Sequence, residues 1–203
     1  MMNRIITIVC AIGMSLGVCA QNSSQARQIL DRTAAKVNNK GGASADFAIS
    51  SPKNGNMSGT IYIKGNKFHA TTPDASIWYD GKTQWTYMKN SDEVNVSAPN
   101  ESQQAQLNPY KFITLYKNGY DLSMKTVSGS YEVHLKSTKP NRAIGELYIT
   151  INKKSYLPSK VRFLQKGQWS TITISNFKSK NLADSVFRFN AKDFPDAEVI
   201  DLR

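Results

Sequence analysis

Apolar and polar side chains alternate along most of this chain with a period of two, in short runs cut by turn signals. Ala45, Phe47 and Ile49 alternate with Ser44, Asp46, Ala48 and Ser50. After a turn over Pro52–Asn56, Ile61 and Ile63 alternate with Thr60, Tyr62 and Lys64. Successive side chains of a strand point to opposite faces, so this period sets one row against a core and the other towards water. Further strands are expected over Lys67–Thr71, Ile77–Tyr79, Gln84–Lys89 and Glu93–Val96. They resume over Asp121–Thr126, Tyr131–Ser137, Ala143–Asn152, Ser159–Gln165 and Gln168–Phe177, with short extended pieces at Val186–Phe189 and Ala197–Leu202. No Gly-rich loop opens a helix, which argues against a dinucleotide-binding fold.

One hairpin sets four aromatic rings around a tight turn. In Tyr79–Val96, YDGKTQWTYMKNSDEVNV, an Asp80-Gly81 turn stands between Trp78-Tyr79 and the alternating Trp85 and Tyr87. Gly tolerates positive φ, and Asp bonds its own backbone, so Asp-Gly is a strong hairpin signal. The expectation is that Trp85 and Tyr87 look inward while Trp78 packs behind the sheet or at its edge. A one-residue bulge would exchange the two faces.

Two segments break the alternation. Ala26, Ile29, Leu30, Thr33 and Val37 recur at helical steps, with a capping box at Asn22 and Gln25 and an exit at Gly41-Gly42. Between Pro99 and Leu122, the residues Leu107, Pro109, Phe112, Ile113, Leu115 and Tyr116 read as a short helical segment or two, with a Pro start and an Asn118-Gly119 exit. The fold class is therefore mainly β with helices (α+β): a strongly curved antiparallel sheet with helices available to cover its concave side. Periodicity leaves open whether the interior is filled by its own side chains or hollow.

The first twenty residues, MMNRIITIVCAIGMSLGVCA, have a positive charge at Arg4, an apolar run from Ile5 to Val18 and a small-residue exit at Ala20. They read as an export signal (1–20) ahead of a single domain (21–203). Lipidation at Cys19, which would make a membrane-held form, is the rival reading. Cleavage would remove Arg4, Cys10 and Cys19, leaving no cysteine and a net charge one unit below the chain's +11. A disulfide scaffold, a thiol nucleophile and a thiolate metal site are thereby excluded. The basic balance suits transient contact with anionic membrane surfaces or an acidic partner. The lysines are scattered, with no recognition motif or basic helix, so nucleic acid is not an expected partner.

Catalytic chemistry finds little support. His69 and His134 are the two histidines, without ligand-spaced partners, and no nucleophile-elbow pattern occurs. Asp74, Asp80 and Asp92-Glu93 are explained by turns and strand ends, so no glycan-cleaving carboxylate pair is assigned. The expectation is a protein without enzymatic activity, cofactor or metal.

The order of the amphipathic first helix, ASADFAI, SGTIYIKGNKFHA, the WYDGKTQWTYMKNSDEVNV block, LNPYKFITLY and the closing GQWSTITISNFKSKN…FRFNAKDFPDAEVIDL resembles the periplasmic outer-membrane lipoprotein carriers of the LolA type over Asn22–Leu202. The resemblance implies an incomplete β-barrel covered by a helical lid, whose hydrophobic cavity shields lipoprotein acyl chains in transit from an inner-membrane exporter to an outer-membrane receptor. Candidate wall residues are Phe47, Ile61, Ile63, Phe68, Trp85, Tyr87, Leu147, Ile149, Val161 and Phe163; candidate lid residues are Ile29, Leu30, Phe112, Ile113 and Leu115. The family's usual lid arginine is missing here, and Lys64 or Lys67 would supply charge at the rim, without the planar fork of Arg. The resemblance thus implies a periplasmic, monomeric carrier of lipoproteins or another acyl-bearing cargo. The alternative is a nonenzymatic envelope binding module, or a membrane-anchored acceptor, that recognises a protein or glycan.

Overall fold

A computed structural model describes residues 15–53, 55–99 and 109–203, with side chains from 22 and from 112 onward in the two helices. Residues 1–14 of the export signal, and Leu107, lie outside the described residues. The chain forms helix α1 (Ser15–Val37), strands β1 (Ala43–Ser51), β2 (Gly55–Lys64), β3 (Lys67–Thr71), β4 (Ala75–Tyr79), β5 (Gln84–Met88) and β6 (Glu93–Ser97), then helix α2 (Pro109–Thr114). A 3-10 turn at Leu115–Lys117 leads to β7 (Tyr120–Val127), β8 (Ser130–Ser137), β9 (Glu146–Asn152), β10 (Pro158–Gln165) and β11 (Gln168–Ser179). Two more 3-10 turns, Asp184–Phe187 and Ala191–Asp193, precede β12 (Glu198–Asp201).

All twelve strands belong to one sheet, in the order β12-β6-β5-β4-β3-β2-β1-β11-β10-β9-β8-β7. Neighbours are antiparallel except β12, which runs parallel to β6, so the wholly antiparallel expectation fails at that edge. The sheet does not close, because β12 and β7 are its two edges. It does curve: Ile77 of β4 and Pro158 of β10 line the same hollow although four strands lie between theirs in the sheet order.

The stripe expected on α1 is the face it buries, with Ala26, Leu30 and Thr33 fully buried. Its start differs from the expected cap. The helix reaches back to Ser15, so Asn22 lies within it. A mid-helix Asn spends its side chain elsewhere: Asn22 Nδ2 donates to the Met124 carbonyl at 3.0 Å, and the Met124 amide donates to Asn22 Oδ1 at 2.7 Å. The helix thus occupies backbone groups on edge strand β7. Helix α2 starts at Pro109, and Gly119, at φ +65°, makes the exit.

The Asp80-Gly81 signal produces a four-residue loop rather than a two-residue turn, since Tyr79 pairs with Gln84. Asp80 Oδ1 accepts the amides of Lys82 at 3.0 Å and Thr83 at 2.9 Å, and Gly81 takes φ +103°. This side-chain bonding favours a longer loop than the dipeptide alone suggests. Val186–Phe189, expected to be extended, begins inside the 3-10 turn Asp184–Phe187, where Phe187 is fully buried against the sheet.

The concave side has two unlike halves. Under α1, the inward positions of β8 and β9 are Val133, Leu135, Leu147, Ile149 and Ile151, each at 0% exposure, and they form a filled core with Leu30 and Phe112. Across β1–β3 the inward positions include Ala43, Ala45, Gly59 and Ala70. Small side chains leave space that γ-branched ones would fill.

Candidate functional site

The space left by those small residues is an apolar hollow of about 170 Å³. Ala43, Ala45, Phe47 and Ile49 of β1 run along one wall. Ile61 and Ile63 of β2, Phe68 and Ala70 of β3 and Ile77 of β4 form another. Pro158 and Val161 of β10, and Ile172, Ile174 and Phe177 of β11, complete it, with Val37 of α1 and Phe112 and Ile113 of α2 on the open side of the sheet. Polar residues reach it as Ser44, Asp46 and Thr72. Met57 lines the hollow yet is 43% exposed, so the space reaches the surface near the β1–β2 hairpin.

Two bulges shape this wall. Lys178 pairs with Ser44 and Ser175 with Asp46, so β11 has one residue more than β1 in this stretch. Asn176 absorbs it at φ +51°, and its amide donates to Asp46 Oδ2 at 2.7 Å. Bonds from Asn176 first and Thr60 next hold the Asp46 carboxyl below its usual range. The extra residue flips the alternation, so Phe177 follows Ile172 and Ile174 onto the inner face. A second shift, between Pro158 and Lys160, puts both Pro158 and Val161 inward in the same manner. At Gly59 the backbone of Thr71 comes so near that a Cβ would collide with its carbonyl and press on the Phe47 ring.

Phe47, Ile61, Ile63, Phe68 and Val161 stand on the hollow. Leu147 and Ile149 do not; they are fully buried in the filled half. Phe163 packs on Phe112, ring centroids 5.0 Å apart. Trp85 and Tyr87 are on the wrong side of the sheet for a wall. Ile77 faces the hollow, so Trp78 faces out, and Trp85 is its direct cross-strand partner. The β4–β5 ladder has no register shift to exchange these faces. The outward rings form their own cluster: His69 stacks on Trp78 at 4.9 Å, and Phe189 and Phe194 cover Trp78 at 5.7 and 5.6 Å.

Of the candidate lid residues, Phe112 and Ile113 line the hollow, Ile29 and Leu30 are buried in the filled half, and Leu115 packs against that core. Lys64 and Lys67 are not free rim charges. They alternate with inward Ile63 and Phe68, so they face outward, at the end of β2 away from Met57. Both bind Asp184, at 3.0 and 2.8 Å, and Lys64 also donates to the Leu182 carbonyl at 2.7 Å. They fasten the C-terminal segment to the sheet and hold the Asp184 carboxyl below its ordinary value, the hydrogen bond from Lys67 being the largest single cause and that from Lys64 the next.

The apolar lining residues not anticipated were Val37, Ala43, Ala45, Ile49, Met57, Ala70, Ile77, Pro158, Ile172, Ile174 and Phe177. Alternation alone would have found Ala45, Ala70, Ile172 and Ile174; the bulges hid Pro158 and Phe177. Among the described residues, no group of three or more His, Cys, Asp or Glu could hold a metal, and no helix is long and apolar enough to cross a membrane.

An open curved sheet around an apolar hollow with few polar groups has the construction of a site that binds apolar ligands. The family is explicit: residues 16–168 match the outer membrane lipoprotein carrier protein LolA, and the chain belongs to that family. Members of the family are binding and carrier proteins of the bacterial envelope. No match is found among curated proteins. Among solved structures, an uncharacterized conserved protein from Thermus thermophilus is 15% identical with a TM-score of 0.59, covering 87% of this chain and 99% of that one. A DUF1329 family protein from Desulfovibrio piger is 14% identical at 0.51, covering 84% and 98%. A LolA superfamily protein from Nitrosomonas europaea is 13% identical at 0.46, covering 81% and 97%. At such identities the first two show a shared fold.

Proposed function

We propose that the protein is a periplasmic carrier that shields the acyl chains of a lipoprotein, or of a related lipid, during transfer from the inner to the outer membrane. The observation that carries this reading is the apolar hollow of about 170 Å³, walled by strands on both flanks of β1 and by α2. Each methylene taken out of water is worth about 0.8 kcal/mol, so such a wall holds an acyl chain by the sum of many small gains. An engineered void of similar size, ~150 Å³, accepts benzene, so this hollow as it stands takes only part of one chain. Full loading needs the helical cover to move. In this reading α2 is the lid: it is six residues long and puts Phe112 and Ile113 on the hollow. An inner-membrane exporter and an outer-membrane receptor are the partners this role requires.

The test is native mass spectrometry of the protein with palmitate, wild type beside Ala70→Phe. Ala70 is 9% exposed and on the wall, so the new ring fills the hollow. Uptake of one palmitate by the wild type, and at least about tenfold less by a folded Ala70→Phe variant, is expected. No uptake by the wild type, or equal uptake by both, would remove the carrier reading.

A further inference from the structure

The outward face of the sheet is treated differently at its two ends. Over β3 and β4 it is covered by the C-terminal segment, with Phe187 buried and Phe189 and Phe194 on Trp78. Over β8–β11 the outward Lys136, Lys160 and Arg162 are exposed. Strand register there draws Ser123, His134, Tyr148, Arg162 and Thr171 into one line across β7–β11. The His134 and Tyr148 rings are stacked, 4.4 Å apart and 5° from parallel. The Arg162 guanidinium carbon lies 6.0 Å from the Tyr148 centroid and 5.2 Å from that of Trp169.

The charges in this row are unevenly matched. Glu146 Oε1 lies 2.7 Å from His134 Nε2 and accepts the Tyr148 hydroxyl at 3.0 Å. Glu132 pairs with Lys125 at 2.8 Å. Lys136 stands opposite Asp121 and Glu146 in the register, whereas Arg162 and Lys160 make no ion pair among the described residues and face only Tyr148, Thr150, Thr171 and Thr173 across the strands. The centre therefore offers an unpaired guanidinium lying over two rings that touch each other, 5.7 Å between centroids, with Lys160 in the neighbouring row. Trp, Tyr and Arg are also the residues that dominate protein interfaces.

We propose that this row docks a carboxylate-bearing segment of a partner protein, with an Asp or Glu side chain received by Arg162. The planar fork of Arg matches a carboxylate through two parallel bonds, and the two rings beneath it hold that fork in place before the partner arrives. A sugar is the poorer fit, because stacking needs a free ring face. His134 lies on one flank of Tyr148, and Arg162 lies over Tyr148 and Trp169. The site is on the opposite side of the sheet from the hollow and does not depend on what the hollow holds.

The test is fluorescence anisotropy of labelled hexaglutamate with the purified protein, beside hexaglutamine and vesicles of neutral lipid with and without phosphatidylglycerol. Hexaglutamate should bind, weaken as salt rises, and lose about tenfold in affinity with Arg162→Gln. Arg162→Lys should restore only part of that affinity, and Lys192→Gln, within the C-terminal cover, should leave hexaglutamate binding unchanged. Melting curves of Arg162→Gln and of a second variant, Trp169→Ala, check that both remain folded. Equal hexaglutamate binding by folded Arg162→Gln, equal binding of hexaglutamine, or no binding at all would overturn the proposal. Binding to phosphatidylglycerol vesicles without hexaglutamate binding would also overturn it and make this a membrane-facing surface. Palmitate uptake reads the other site, so the two proposals fail separately.

Discussion

Individual residues in this protein are assigned to wall, core or cover by which way one strand position points. Leu147, at 0% exposure in the filled half, and Ile61, on the hollow, look equivalent in the alternating sequence. Leu147→Ala should cost about 2–5 kcal/mol in a denaturant titration, because close-packed neighbours collapse only partly onto the void. Ile61→Ala enlarges a space already present, so its cost should fall below that of Leu147→Ala while its effect on palmitate retention is greater. His69 supplies a pH-dependent counterpart on the outward face. Burial beside Trp78 and Tyr62 pushes it below its ordinary value, and its Nε2 has Thr71 Oγ1 at 3.2 Å. A histidine kept neutral in the fold but free to protonate when unfolded adds stability that is fully present above about pH 6.5. That contribution declines as pH falls from there towards the lower folded value. Melting temperature should therefore drop between pH 7 and pH 5, and His69→Gln should flatten that drop; an equal slope in the variant would assign the acid sensitivity elsewhere.

Whole elements do work that their own sequences do not announce. Helix α1 closes one end of the sheet through Asn22, which bonds both backbone groups of Met124 on edge strand β7. An edge strand left open is a template for pairing with other chains. Asn22→Ala should cost on the order of 1–3 kcal/mol and speed hydrogen exchange at the Met124 amide, with little effect on central β9. Helix α2 is too short to be stable by itself in water and rests on Phe112 against Phe163 and on Ile113 against Val37 and Ala34. Phe112→Ala should cost about 3–5 kcal/mol if the helix is fixed core. A loss well under 2 kcal/mol with faster palmitate exchange would fit a movable lid.

At the scale of the molecule, the proposed occupancy of the hollow by an acyl chain would be linked to stability. A ligand that binds only the folded state stabilises it by about 2.7 kcal/mol at a hundred times its Kd. At roughly 2–4 °C per kcal/mol for a domain of this size, saturating palmitate should raise the melting temperature by about 5–11 °C. Ala70→Phe should remove that response. A ligand-induced rise of equal size in both proteins would locate palmitate somewhere other than the hollow.

The pattern of residues was sufficient for much of this architecture. Period-two alternation specified the strands, because a half-buried strand must place its side chains on opposite faces, and the i, i+3, i+4 stripe specified the buried side of α1 for the corresponding helical reason. Family membership was equally legible, since it rests on the order of these segments. Which faces meet, and how much space they leave, was decided by the tertiary structure. Trp85 and Tyr87 alternate as well as Ile61 and Ile63 do, yet the register from β2 to β5 places the first pair on the convex face and the second on the concave one. Asn176 and the shift beside Pro158 each move a side chain across the sheet through one unpaired residue, and alternation carries no mark of a single insertion. The hollow depends on Ala43, Ala45, Gly59 and Ala70 coming together from three strands, opposite a half in which Val, Leu and Ile hold the equivalent places. Volume is a property of the side chains that face one another, and those neighbours are set only when the sheet has paired and curved.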